Sequence, residues 1–155
     1  MAVTPGAGAD GGPAGEGERS PAAVAAAMYE RDHSSRHLGI EVVGVGEGSA
    51  CVTMSVRPEM VNGLGVCHGG YLFTLADTAM AYASNSRDDV AFAVAAQIDF
   101  LRPARAGDVL TAEAVERAGQ GRTALTDVEV RTGDGTVVAV FRGRTRTTGR
   151  PVVDM

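Results

Sequence analysis

The chain has 155 residues, 45% of them hydrophobic and 21% charged, and carries a formal net charge of −5. That is the length of one domain, with enough apolar surface for a real core. The negative balance disfavours nucleic acid and anionic membranes as partners, and no apolar run nears the ~18 residues a bilayer span needs.

All 14 basic residues are Arg. This reads first as compositional bias and second as phosphate chemistry. The N-terminus lacks the charged start and apolar core of a secretory signal, so a cytoplasmic location is expected. The two cysteines, Cys51 and Cys67, suit reduced core residues rather than a disulfide framework.

Residues 1–20 include six Gly and two Pro among Ala and polar residues, too little apolar surface to offset ordering entropy, so they are expected to form a tail. A short helix should follow from Pro21 to Asp32, with Ser20 as its cap and Pro21 in its first turn. His33 and His37 stand four apart, a spacing that can hold a metal on a helix face, but no third ligand is near and no metal site is expected.

After Gly39 the hydrophobic period falls to two. Ile40 and Val42 alternate with small or polar neighbours, Gly46-Glu47-Gly48 turns the chain, and Ala50, Val52, Met54 and Val56 alternate up to Pro58. Then comes a stretch apolar on nearly every face, Tyr71 to Ala83, with no Pro and no Gly after Gly70. It predicts an unbroken helix of ~17 residues and ~25 Å, buried at the centre of the fold.

Beyond it, Phe92, Val94, Ala96, Ile98 and Phe100 should share one face of a long strand, leaving Ala91, Ala93 and Ala95 on the other for the helix to lie against. Strands near 108–118, 122–132 and 136–147 complete a meander, turning at Gly119-Gln120-Gly121 and Gly133-Asp134-Gly135. The expected fold is α+β, an antiparallel sheet of five to six strands wrapped round one long helix. It forms a single domain over 21–148 with a frayed end at 149–155.

The chemistry-bearing residues cluster around that helix. Asp77 is an acid within an apolar helix, which is costly to bury charged and so calls for a reason. His68-Gly69-Gly70 opens the helix, where bare backbone N–H groups and the positive dipole end suit a developing oxyanion. His68 is a weaker base candidate than Asp77, and Cys67 fits a small core residue better than a nucleophile. Arg142, Arg144 and Arg146 share one face of the last strand by period two, either as a solvated edge or as a phosphate clamp. Arg102 and Arg105 are further candidates.

The strings Asn62-Gly63 through Cys67-His-Gly-Gly70, Leu75-Ala-Asp-Thr78, Ile98-Asp-Phe-Leu-Arg-Pro103, Gly107-Asp108 and Phe141-Arg-Gly143 resemble the hotdog-fold acyl-CoA thioesterases. They are most similar to the phenylacetate-degradation (PaaI-type) branch, over about residues 28–147. The resemblance implies Asp77 as the catalytic carboxylate, the Gly69 N–H as oxyanion donor and Asn62 as a residue placing the carbonyl or water. His68, Gly70, Arg102, Arg105, Arg142 and Arg144 are the expected substrate-binding set.

Where some relatives carry a hydroxyl on the strand after the helix, this chain reads Val94-Ala-Ala-Gln97, with Gln97 the one polar residue nearby. The implied activity is hydrolysis of an aryl-acetyl-CoA, with coenzyme A part of the substrate and no separate cofactor. Asp77 would act as base toward water or as direct nucleophile. A non-catalytic acyl-CoA-binding module and a hotdog enoyl-CoA hydratase or dehydratase are the alternatives. Gly69 and Asp77 are eight residues apart, about 12 Å along one helix. One helix therefore cannot bring both to one carbonyl, so a homodimer with shared sites is expected; the resemblance implies the same, with two dimers often paired into a tetramer.

Overall fold

A computed structural model describes residues 19–155, so the expected tail falls almost wholly outside the described residues. Helix α1 spans Pro21–Arg31, capped by the Ser20 hydroxyl, which accepts from Ala23 N. A second short helix, α2 at His33–Leu38, was not anticipated from the sequence. Its signals are local: Asp32 caps it by accepting from Ser35 N at 2.9 Å, and Gly39 ends it in the left-handed region at φ 71°. Among the described residues no three potential metal ligands gather, and His33 contacts Arg36 instead.

Strands β1 (Glu41–Gly46) and β2 (Ser49–Ser55) form the anticipated hairpin. A 3-10 turn at Pro58–Met60 and a loop lead into α3, Gly69–Asn85. Strands β3 (Ala91–Phe100), β4 (Val109–Gln120), β5 (Thr123–Thr132) and β6 (Val137–Thr147) follow. All six strands form one antiparallel sheet in the order β1-β2-β4-β5-β6-β3. The last four strands are therefore not a simple meander. After α3 the chain crosses to the far edge, and β4 returns to pair with β2.

Helix α3 lies in the curve of this sheet, with Leu75, Ala76 and Ala79 fully buried against Val52, Leu110 and Val130. Each large aliphatic side chain buried there contributes on the order of 1.5–3 kcal/mol. Close helix-to-sheet approach was expected at the alanines of β3, and the structure shows one at Gly143 of β6, where a Cβ would overlap the Met80 sulfur.

The single-face reading of β3 also fails, because its register shifts between Ala93 and Ala95. The bulge at Val94 turns Phe92 to the face of Arg146, away from α3, while Ala96, Ile98 and Phe100 pair with Gly143, Phe141 and Ala139 on the helix side.

The C-terminal residues, expected to fray from Gly149, are partly packed. Val152 is buried, Asp88 Oδ1 accepts from the backbone N–H groups of Val152 and Val153, and Arg31 donates to the Val152 carbonyl. Arg19 closes this clasp by an ion pair with Asp88 at 2.7 Å. Asp88 itself sits at φ 57°, a left-handed position where Asp is better tolerated than most non-glycine residues.

Candidate active site

The loop 61–67 is held at its base by a bridge between Val61 and Cys67. Within it the Asn62 side-chain oxygen accepts from Leu64 N at 2.9 Å and Val66 N at 3.4 Å, closing an Asx-type turn. Asn62 thus shapes the approach to α3. Its side-chain oxygen is committed to the loop, which leaves the amide NH2 as its outward donor.

His68 is the N-cap of α3, and its Nδ1 accepts from Gly70 N at 2.9 Å. The Tyr71 amide donates to the His68 carbonyl at 3.0 Å. Of the first three amides of the helix, only that of Gly69 has no acceptor among the described residues. With Nδ1 accepting, a neutral His68 carries its proton on Nε2, so this imidazole braces the helix start and is not poised as a base. Gly70 is likewise committed to this cap.

Asp77 follows Gly69 and Phe73 along the i, i+4, i+8 ridge of α3 and precedes Met80 by three. Phe73 meets the Phe141 ring edge-on at 5.3 Å, and Met80 lies over Gly143. The ridge therefore faces β6, and only the edge strand β3 lies beyond it. Asp77 is half-buried on this flank, and desolvation pushes its carboxyl above the ordinary carboxylate range, with no charged or hydrogen-bonding neighbour among the described residues to offset it. At the other end of the ridge the ring of Phe100 sits against Gly69, within 2.9 Å of where a Cβ would stand. Along this ridge α3 thus carries a free N–H at its start and, eight residues on, a half-buried carboxyl with a raised pKa.

Not every expected site residue lies along this ridge. Gln97 pairs with Arg142 on the outer face of the sheet, away from α3, so it is not on the side of Asp77. Arg142 is held there by Asp127 through bonds of 2.6 and 2.9 Å, with Arg117 at 3.3 Å from the same carboxylate. The Arg142 pair holds the Asp127 carboxyl below its usual range. Arg142 is thus engaged by Asp127 on the outer face of the inner strand β6. Arg144 is exposed on the same outer face and has no ion-pair partner among the described residues. Arg102 and Arg105 line a separate cleft of about 550 Å³ with Asp108 and the 132–136 turn. The segment that carries them is tied to the approach to α3, because Cys67 N donates to Ala104 O at 2.8 Å.

The thioesterase superfamily profile matches residues 64–139, which span the α3 ridge and the β3 edge. The chain is 49% identical over 123 residues to the acyl-coenzyme A thioesterase PaaI of Escherichia coli, covering 79% of this chain and 88% of that protein. It belongs to the thioesterase superfamily.

The hotdog architecture of this thioesterase agrees with solved relatives. The E. coli PaaI protein from the phenylacetic acid degradation operon superposes with a TM-score of 0.83 at 46% identity, over 84% of this chain and 95% of that one. A Streptococcus mutans protein solved with acetyl-CoA bound superposes with a TM-score of 0.69 at 28% identity, over 72% of this chain and 90% of that one. Among the described residues of the thioesterase no helix is long and apolar enough to cross a membrane. Sequence reasoning missed the position of Phe100 against the helix start. Its one available signal was an aromatic at the end of a strand immediately before Leu101-Arg102-Pro103.

Proposed function

We propose that this thioesterase hydrolyses an aryl-acetyl-CoA, such as phenylacetyl-CoA or a hydroxylated form, to the free acid and coenzyme A. The observation that carries the reading is the unpartnered Gly69 amide at the start of the helix that holds Asp77, whose carboxyl is raised by burial. The likeness to an enzyme named for acyl-coenzyme A and to an operon of phenylacetic acid degradation supports the substrate class. A thioester is an activated carbonyl, so hydrolysis needs an oxyanion donor and an activated oxygen and little else.

The Gly69 N–H receives the carbonyl oxygen. Asp77 takes a proton from water as that water attacks the carbonyl carbon, or its carboxylate attacks directly and water later cleaves the anhydride. Collapse of the tetrahedral species breaks the C–S bond, and the coenzyme A thiolate leaves and is protonated. Asn62 places the carbonyl or the water, and Arg102 and Arg105 bind the phosphates of coenzyme A.

The working unit is a homodimer. Gly69 and Asp77 lie about 12 Å apart on one unbroken helix, too far to act on one carbonyl. Among the described residues the edge strand β3 has no neighbour on its outer side and exposes Phe92 and Val94, an arrangement that a second copy of the chain covers. Two copies related by a two-fold axis along that edge bring Gly69 of one to Asp77 of the other, with a dimer of dimers as the larger assembly.

The test is release of free thiol from a panel of acyl-CoAs. Turnover fastest with aryl-acetyl esters supports the reading. Tight binding without turnover would favour a binding module, and hydration of an enoyl-CoA would favour a hydratase.

A further inference from the structure

We infer that Phe100 is a positioning residue for the thioester, and that residue 69 is glycine to seat this ring. The inference rests on the proposed thioesterase chemistry and adds to it a residue outside the expected site. Phe100 ends the edge strand β3, with its side chain on the helix side of the sheet. The tip of the ring occupies the space of a residue-69 side chain: an ideal Cβ there would stand 2.9, 3.1 and 3.4 Å from Cζ, Cε1 and Cε2. Real Cβ contacts are essentially never as short as 2.9 Å, so a side chain at 69 displaces the ring from this position.

The rest of the ring is open, since Phe100 is 54% exposed. A large apolar surface left bare beside the Gly69 amide has two consequences. It keeps water from one side of that amide, which strengthens a hydrogen bond to a developing oxyanion. It also forms a wall. A carbonyl oxygen ~3 Å from the Gly69 nitrogen puts the attached thioester atoms within van der Waals reach of the ring, which restricts the angles at which the ester can lie.

A glycine at an oxyanion site has two physical explanations, and they separate cleanly. If the bare backbone serves close approach by the substrate, adding a methyl at 69 harms turnover whatever stands at 100. If it serves the ring, the harm depends on the ring.

The experiment is a double-mutant cycle on phenylacetyl-CoA turnover, with folding checked by thermal melting. Phe100→Leu shortens the side chain and keeps it apolar, and should lower kcat about tenfold with KM changed less than threefold. This split marks an interaction made in the transition state. Gly69→Ala in the native background should lower kcat about a hundredfold. Combined with Phe100→Leu, it should cost no more than about threefold beyond Phe100→Leu alone. Phe100→Met serves as a second partner variant should the Leu variant melt early.

Equal losses from Gly69→Ala in both backgrounds, or an unchanged kcat in folded Phe100→Leu, overturns the inference and leaves the thioesterase reading standing. A folded native protein that releases no thiol from any acyl-CoA overturns both.

Discussion

Met80 of α3 lies in the space that a Cβ on Gly143 of β6 would fill, so this one glycine sets how deeply the helix sinks into the sheet. Both positions are buried, and the Phe141 ring crowds the same point at 3.0 Å. Asp77, three residues before Met80, takes its height above β6 from this contact. Gly143→Ala should overpack the core and destabilise by about 1–3 kcal/mol, read as a lowered urea midpoint. Pairing it with Met80→Ala should return part of that loss. A neutral Gly143→Ala would show that the Met80 side chain turns aside at no cost.

Asp77→Asn keeps the shape and removes the base or nucleophile. Turnover should fall by ~10²–10⁴-fold, the scale of general-base loss. A folded variant near native activity removes Asp77 from the mechanism.

The same substitution has a pH signature in stability. Burial raises the folded-state pKa of Asp77 above its ordinary 3.8. The folded state therefore holds this proton more tightly than the unfolded chain. Stability linked to Asp77 is fully present below 3.8 and is lost as pH rises through the raised folded value. At pH 7 Asp77→Asn should be more stable than the native protein, and the gain should shrink toward acid pH in urea titrations. Catalysis runs the other way, since activity needs the ionised form and should rise with pH through that same raised pKa.

The shared site is tested with two inactive proteins, Asp77→Ala and Gly69→Val, the latter placing bulk against Phe100. Co-refolded at equal amounts, half the dimers are mixed and each mixed dimer has one intact site of two. About one quarter of native specific activity should return by this random pairing. No recovery, with subunit exchange demonstrated, would put both groups within one chain.

The arginines divide by partner. Arg102→Ala and Arg105→Ala should raise KM for a CoA ester and leave an N-acetylcysteamine thioester of the same acid nearly unchanged. Arg142→Ala should change neither, because that guanidinium already serves Asp127. A selective KM effect at Arg142 would return it to the substrate site.

What the sequence determined by itself was local. An all-apolar stretch without Pro, opened by His68-Gly69-Gly70, is a buried helix whatever surrounds it, and α3 spans Gly69–Asn85. Period-two alternation from Ala50 to Val56 is a strand for the same reason. The metric argument from Gly69 to Asp77 needed only the rise per residue.

The tertiary structure decided everything that depends on which strand lies beside which. It put β3 at the far edge, since a crossover through α3 leaves no local signal of its destination. It placed the Val94 bulge, which puts Phe92 and Gln97 on the same outer face, because one unpaired residue reverses the alternation on one side of it. It gave Arg142 to Asp127, a partner 15 residues away on the neighbouring strand, where spacing alone marked only a charged face. And it set Phe100 on Gly69, a contact across 31 residues that only the closing of the sheet round the helix can make.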